Sequence, residues 1–162
     1  MPLNRSWIVK TIVLMLTLIP VALLASPGSG ILFNLVLNQG ITTEGIHDVG
    51  HVGAWQSVLV TNGPTFFRTQ NFAIAPGGYG GWHSHPGPVL ISVRRGTVAW
   101  YDSKCHRTLY PAGSAYVEPA GEPHNPRNEG GEDVEAFATL ILPAGVPTRV
   151  EAEPPAACPS LP

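Results

Sequence analysis

Gly77-Gly78-Tyr79-Gly80-Gly81-Trp82-His83-Ser84-His85-Pro86-Gly87-Pro88 is the stretch on which the reading of this chain turns. Side chains at i and i+2 of an extended segment project to one face, so His83 and His85 present two imidazoles to a common point. The glycines before them suit a tight bend, because Gly adopts backbone angles that other residues avoid. Pro86-Gly87-Pro88 then ends the extended run, which puts the histidine pair at a strand end beside a turn. Two imidazoles held this way can grip one metal ion. Such a site needs a further ligand, and His124 is the downstream candidate.

Outward from this stretch the chain alternates short apolar runs with Gly/Pro turns. Trp55 to Thr61 reads as a strand followed by the turn Asn62-Gly63-Pro64. Phe66 to Ala75 reads as a second strand, closed by Pro76-Gly77-Gly78. Beyond the histidines come Val89 to Val93, Thr97 to Tyr101, Arg107 to Tyr110, Ser114 to Glu118 and a long last strand from Val134 to Leu142. Alternation within the first of these predicts Val89, Ile91 and Val93 inward, with Leu90, Ser92 and Arg94 outward. With 18 Gly and 17 Pro and no convincing amphipathic helix, the pattern predicts an all-β sandwich or barrel. Ile31 to Leu37 reads as either a first strand or the continuation of an anchor. Asn38 to Gly53, with its four glycines, reads as a loop carrying His47 and His51.

The 162 residues suffice for one domain with a proper core. The expected division is 1–30 signal or anchor, 31–53 linker and first-strand region, 54–145 barrel, and 146–162 Pro-rich tail. A formal charge of −2 without a basic run argues against nucleic acid as a partner. Arg5 and Lys10 precede the uncharged run from Thr11 to Ala25, which has the length of a signal-peptide core and is short for a membrane span. A cleaved signal is the expectation. An uncleaved anchor would leave the rest of the chain outside as well, because the positive charges flank its N-terminal end. Either way the chain is read as secreted or extracytoplasmic. In that compartment Cys105 and Cys158 are expected to pair and to staple the Pro-rich tail to the domain.

These residues resemble the two signature motifs of the cupin superfamily. The first, G-x5-H-x-H-x3,4-E-x6-G, lines up with Gly77, His83, His85 and Gly96, and its glutamate position falls on Val89. The second, G-x5-P-x-G-x2-H-x3-N, is matched in full by Gly113, Pro119, Gly121, His124 and Asn128. The resemblance implies a double-stranded β-helix (jelly-roll) barrel. It also implies His83, His85 and His124 as ligands of a divalent metal, with Zn, Fe, Ni or Cu suited to three imidazoles. Similar cupins pair through barrel edges, so a homodimer is implied as well. Asn128 is expected to serve as a turn former.

Val89 departs from the family pattern, since a valine cannot bind metal. The expectation is a three-histidine site without the carboxylate that would favour Mn2+. Glu118 and Glu122 stand near His124, and either would supply a carboxylate only if the backbone turned it inward. Tyr79, Trp82, Trp100 and Tyr116 are read as core or rim packing. Ser84 points away from the trio and Cys105 is committed to a bridge, which argues against a Ser or Cys nucleophile. Two functions remain open: a metal-dependent dioxygenase or isomerase acting on a small molecule, and a non-catalytic module holding a metal or small ligand.

Overall fold

The computed structural model describes residues 27–162. The apolar run read as a signal or anchor lies outside the described residues. Within them there are twelve strands and no helix. In chain order these are β1 (Ser29–Ile41), β2 (His47–Val52), β3 (Trp55–Val60), β4 (Thr65–Tyr79), β5 (His83–Ser84) and β6 (Val89–Arg95). They are followed by β7 (Thr97–Tyr101), β8 (Arg107–Pro111), β9 (Ala115–Glu118), β10 (Asn125–Arg127), β11 (Val134–Pro143) and β12 (Val150–Glu151).

Strand β4 is the spine. It pairs with β11 along one edge and β1 along the other, and its last residue, Tyr79, meets Arg127 of β10. The principal sheet runs β8-β7-β10-β4-β11-β6-β9, every pairing antiparallel, with β1 added beside β4. Period-two burial fixes this register. Val134, Ala136, Ala138, Leu140 and Leu142 of β11 are all buried and meet Val89, Ile91 and Val93 of β6 inside the barrel. Burying an aliphatic side chain of this kind contributes about 1.5–3 kcal/mol, and a one-residue slip would turn the whole set to water. Leu90, Ser92 and Arg94 are exposed, as alternation requires.

Several turns carry the fold. Gly96, between β6 and β7, has φ +72°, and a Cβ there would stand 2.7 Å from the Asp133 carbonyl, so both conformation and space demand glycine. Asn128 is buried and closes the turn before β11. Its Nδ2 donates to the carbonyls of Ile74 (2.8 Å) and Glu132 (2.7 Å), and its Oδ1 accepts from Gly130 N. The turn-forming role expected for Asn128 is therefore the one it has.

Ile31–Leu37, read as either a first strand or the continuation of an anchor, lies within β1, which continues to Ile41. Two other local readings are corrected. The supposed loop Asn38–Gly53 also contains β2, so His47 and His51 sit on an exposed strand paired with β3 rather than in a loop. Glycine depresses strand propensity only weakly, and cross-strand hydrogen bonding outweighs it here. Finally, β4 does not stop at Pro76-Gly77-Gly78. It runs on to Tyr79 because the 126–128 segment bonds its backbone: Gly77 N to Asn128 O, Asn128 N to Gly78 O, and Gly80 N to Pro126 O.

After β11 the tail folds back across the barrel. Strand β12 pairs with β5 (Val150 with Ser84, Glu151 with His83), and Ala152 N donates to Trp82 O. The indole of fully buried Trp82 donates to Leu161 O at 2.9 Å, and Asn125 Nδ2 and Arg127 Nη1 both donate to Pro162 O. Cys105 and Cys158 form the expected disulfide, with Cα atoms 5.6 Å apart and a sequence separation of 53. Closing a loop of that length stabilises the fold by about 4 kcal/mol on the chain-entropy model. Replacing both cysteines by serine should therefore cost about 2–4 kcal/mol in urea unfolding. Matching midpoints for the two proteins would show that the bridge holds nothing in place.

Candidate metal centre

The site is assembled by one reciprocal backbone pair. His83 N donates to His124 O at 3.0 Å and His124 N donates to His83 O at 2.8 Å, an antiparallel bridge that sets the two histidine segments side by side. Gly121 N donates to His85 O at 2.7 Å and holds the third segment against them. The ring centroids of His83 lie 4.9 Å from those of His85 and 4.5 Å from those of His124, and the last two are 5.5 Å apart. The three histidines expected from the sequence thus converge, and all are buried.

Each ring is oriented by a backbone carbonyl on its far side. Nδ1 of His83 donates to Gly81 O (2.8 Å), Nδ1 of His124 to Glu122 O (2.8 Å), and Nδ1 of His85 to Thr148 O in the tail (2.5 Å). A carbonyl only accepts, so each Nδ1 carries a proton and Nε2 is the ring nitrogen left free to bind. This second hydrogen bond is the usual support of a metal-ligating histidine. Nε2 of His124 is fully buried and has no hydrogen-bond partner. A buried polar atom left unpaired is costly, and a cation would satisfy it.

The fourth member is Glu118. Its Oε2 stands 3.3 Å from His124 Nε2 and 3.5 Å from His85 Nε2, and one ligand atom from each of His83, His85, Glu118 and His124 lies within 4.8 Å of the others. The expectation of a site without a carboxylate is therefore overturned. The register gives the reason: Val89 of β6 pairs directly with Glu118 of β9. The carboxylate has moved to the neighbouring strand, opposite the position the motif assigns it. The readable signal was alternation in β9, where Val117 faces solvent and Tyr116 and Glu118 face inward. Glu122 does not substitute. Its side chain is exposed and accepts from Ser103, and it serves the site through its backbone carbonyl alone.

Burial holds His83 well below its ordinary value of 6.5, helped by the neighbouring His124 and Arg149 charges. Burial also lowers His85, with the Thr148 carbonyl and Glu118 opposing it in part. Among the aromatics, Tyr116 stacks on Tyr110 at 4.0 Å and Trp100 lies over His124 at 5.9 Å, so these rings pack the floor of the site. Burial pushes the Tyr116 hydroxyl well above 10 and keeps it protonated. His47, His51 and His106 take no part; His106 pairs with Asp102. Beside the cluster lies a cavity of about 210 Å³, walled by Phe72, Ile74, Val89, Ile91 and Leu140 and reached by Arg68 and Arg149.

The structure is thus a β-barrel with a buried His/Glu cluster that could hold a metal ion. Over residues 70–141 the sequence matches the family model described as Cupin domain. A double-stranded β-helix protein from Klebsiella pneumoniae superposes with a TM-score of 0.48 at 22% identity, covering 68% of this chain and 85% of its own. A cupin-like protein from Thermotoga maritima gives 0.49 at 17% identity, covering 53% and 64%. A DMSP lyase from Ruegeria pomeroyi gives 0.48 at 17%, covering 54% and 44%. No curated protein sequence matches this chain.

The lowered His83 and His85 values set a pH dependence. Between the ordinary value of 6.5 and the lower folded values, the unfolded chain binds more protons than the folded one. The metal-free protein should therefore be most stable above that window and lose stability as pH falls through it. Urea midpoints measured from about pH 7.5 to about pH 5 check this, with a His83→Gln, His85→Gln variant expected to flatten the curve. A flat curve for the unmodified protein would show that these rings are not buried neutral.

Proposed function

We propose that this protein binds one divalent transition metal through His83, His85, His124 and Glu118 and applies it to a small molecule in the adjoining cavity. The observation that carries this reading is the shared support of the three rings: every Nδ1 is spent on a carbonyl, the Nε2 atoms of His85 and His124 stand within 3.5 Å of Glu118, and a ligand atom of His83 lies within 4.8 Å of the rest. Three nitrogens and one carboxylate suit Mn, Fe, Co, Ni or Zn, a wider range than three imidazoles alone. When bound, such an ion supplies Lewis-acid or redox chemistry at whatever position the protein leaves open.

The activity proposed is that of a dioxygenase or isomerase. No acid or base beyond the cluster itself lines the cavity, apart from the two arginines, which do not deprotonate. That composition supports chemistry centred on the metal over proton transfer by a side chain. The protein is proposed to act outside the cytoplasm, a reading the Cys105–Cys158 disulfide supports. A homodimer belongs to the same reading. The edge strand β1 exposes Leu32, Leu35, Val36 and Leu37, an apolar edge that a second copy would cover. Sedimentation equilibrium should return twice the chain mass; a monomer at micromolar concentration would exclude the pairing.

Elemental analysis of protein purified without chelators should find close to one transition-metal ion per chain. Glu118→Gln should weaken Mn2+ binding more than Zn2+ binding, because the harder ion gains more from the anionic oxygen. His124→Ala should cost at least the roughly 10–100-fold that loss of an outer partner costs. A folded protein that takes up none of these ions would exclude the proposal.

A further inference from the structure

The cavity beside the cluster has a one-sided charge. Apart from the cluster, the charged side chains that line it are Arg68 and Arg149, both cations. Its remaining walls are mainly aliphatic and aromatic. At about 210 Å³ it is smaller than the usual drug-sized pocket, which limits it to a small molecule.

Arg149 is held rigidly where it lies. Its Nε donates to Glu151 Oε1 at 2.5 Å, and its Nη2 donates to Glu151 Oε2 at 2.8 Å and to Gly80 O at 2.9 Å. Nη1 bonds to no acceptor among the described residues, so one end of the guanidinium is left for a ligand. The adjacent residue, Thr148, supplies the carbonyl that orients His85, so the tail brings ring support and cation in together. Arg149 lies close enough for its charge to act on both His83 and His85. Arg68 faces the same cavity from farther off. Its row runs Arg68, Leu140, Val89, Glu118 in register, which sets it about 14 Å from Glu118 across the sheet.

We infer that this cavity binds a small carboxylate with an apolar body, its anionic end between the metal position and Arg149 and its body against Phe72, Ile74 and Leu140. The inference rests on the metal reading above. A divalent ion on three neutral imidazoles and one carboxylate keeps a net positive charge. Glu151 neutralises Arg149 only from the outer side. An anion entering this apolar cavity meets two cationic centres, and a preorganised guanidinium loses little entropy in binding it. A cationic ligand would meet repulsion from both centres, and a neutral one would offer Nη1 at most an uncharged acceptor, a weaker partner than a carboxylate.

The test uses full-length protein loaded with Co2+, whose visible absorption reports its ligands, titrated with butyrate, butyramide and butylammonium. Butyrate should perturb the spectrum with an affinity at least roughly tenfold tighter than butyramide, and butylammonium should leave it unchanged. Arg149→Met should weaken butyrate roughly tenfold while Co2+ binds as tightly or more tightly, and Arg149→Lys should recover part of the loss. Should Arg149→Met not fold, Glu151→Gln decides. Removing the outer counter-charge should tighten butyrate by about threefold or more, and no change there overturns the inference. Equal affinity for butyrate and butyramide, or an unchanged butyrate affinity in folded Arg149→Met, also overturns it and leaves the metal reading standing. Failure to take up Co2+ overturns both.

Discussion

The reciprocal backbone bonds between His83 and His124 are the constraint on which the rest of the site depends. They join segments 41 residues apart in sequence and set the register of every group around them. Both rings then use the same local device, each Nδ1 donating to the carbonyl two residues upstream. A side chain anchored on its own backbone has little freedom left, so two Nε2 atoms are aimed before any ion arrives. Loss of the bridge would release both at once.

His85 is held differently. Its supporting carbonyl belongs to Thr148, in a tail that adds little to the hydrophobic core and is kept in place by β12, by a few hydrogen bonds from Trp82, Asn125 and Arg127, and by the Cys105–Cys158 bridge. One ligand and one lining cation therefore rely on a covalent staple that oxidising surroundings maintain. The barrel supplies the segments that carry His83, His124 and Glu118, and the tail supplies the carbonyl behind His85 and the Arg149 cation.

The electrostatics point the same way. Four buried groups, three imidazoles and one carboxyl, sit around one point, and Nε2 of His124 has no hydrogen-bond partner. Desolvating a carboxylate and leaving an imidazole nitrogen unpaired are both costly. A cation among them would offset both costs together, so the cluster could hold a metal ion.

Much of this was legible in the residues alone. The i, i+2 spacing of His83 and His85, the turn glycines, the alternation of Val89, Ile91 and Val93, the second motif through His124 and Asn128, and the cysteine pair all act through local geometry or composition, and the structure bears them out. Glu118, Thr148 and Arg149 were not assigned to the site from the sequence. Glu118 reaches it because β9 lies beside β6 in a register that sets it opposite Val89, and Thr148 and Arg149 reach it because the tail folds back onto β5. Sequence by itself determined that His83, His85 and His124 carried ligand chemistry and that most of the barrel segments would be extended, since period and turn chemistry are local. Strand β2 and the end of β4 depended on their pairing partners. Which carboxylate and which carbonyl completed the centre was decided only by tertiary structure, because register between distant strands is set by the packing of the whole barrel.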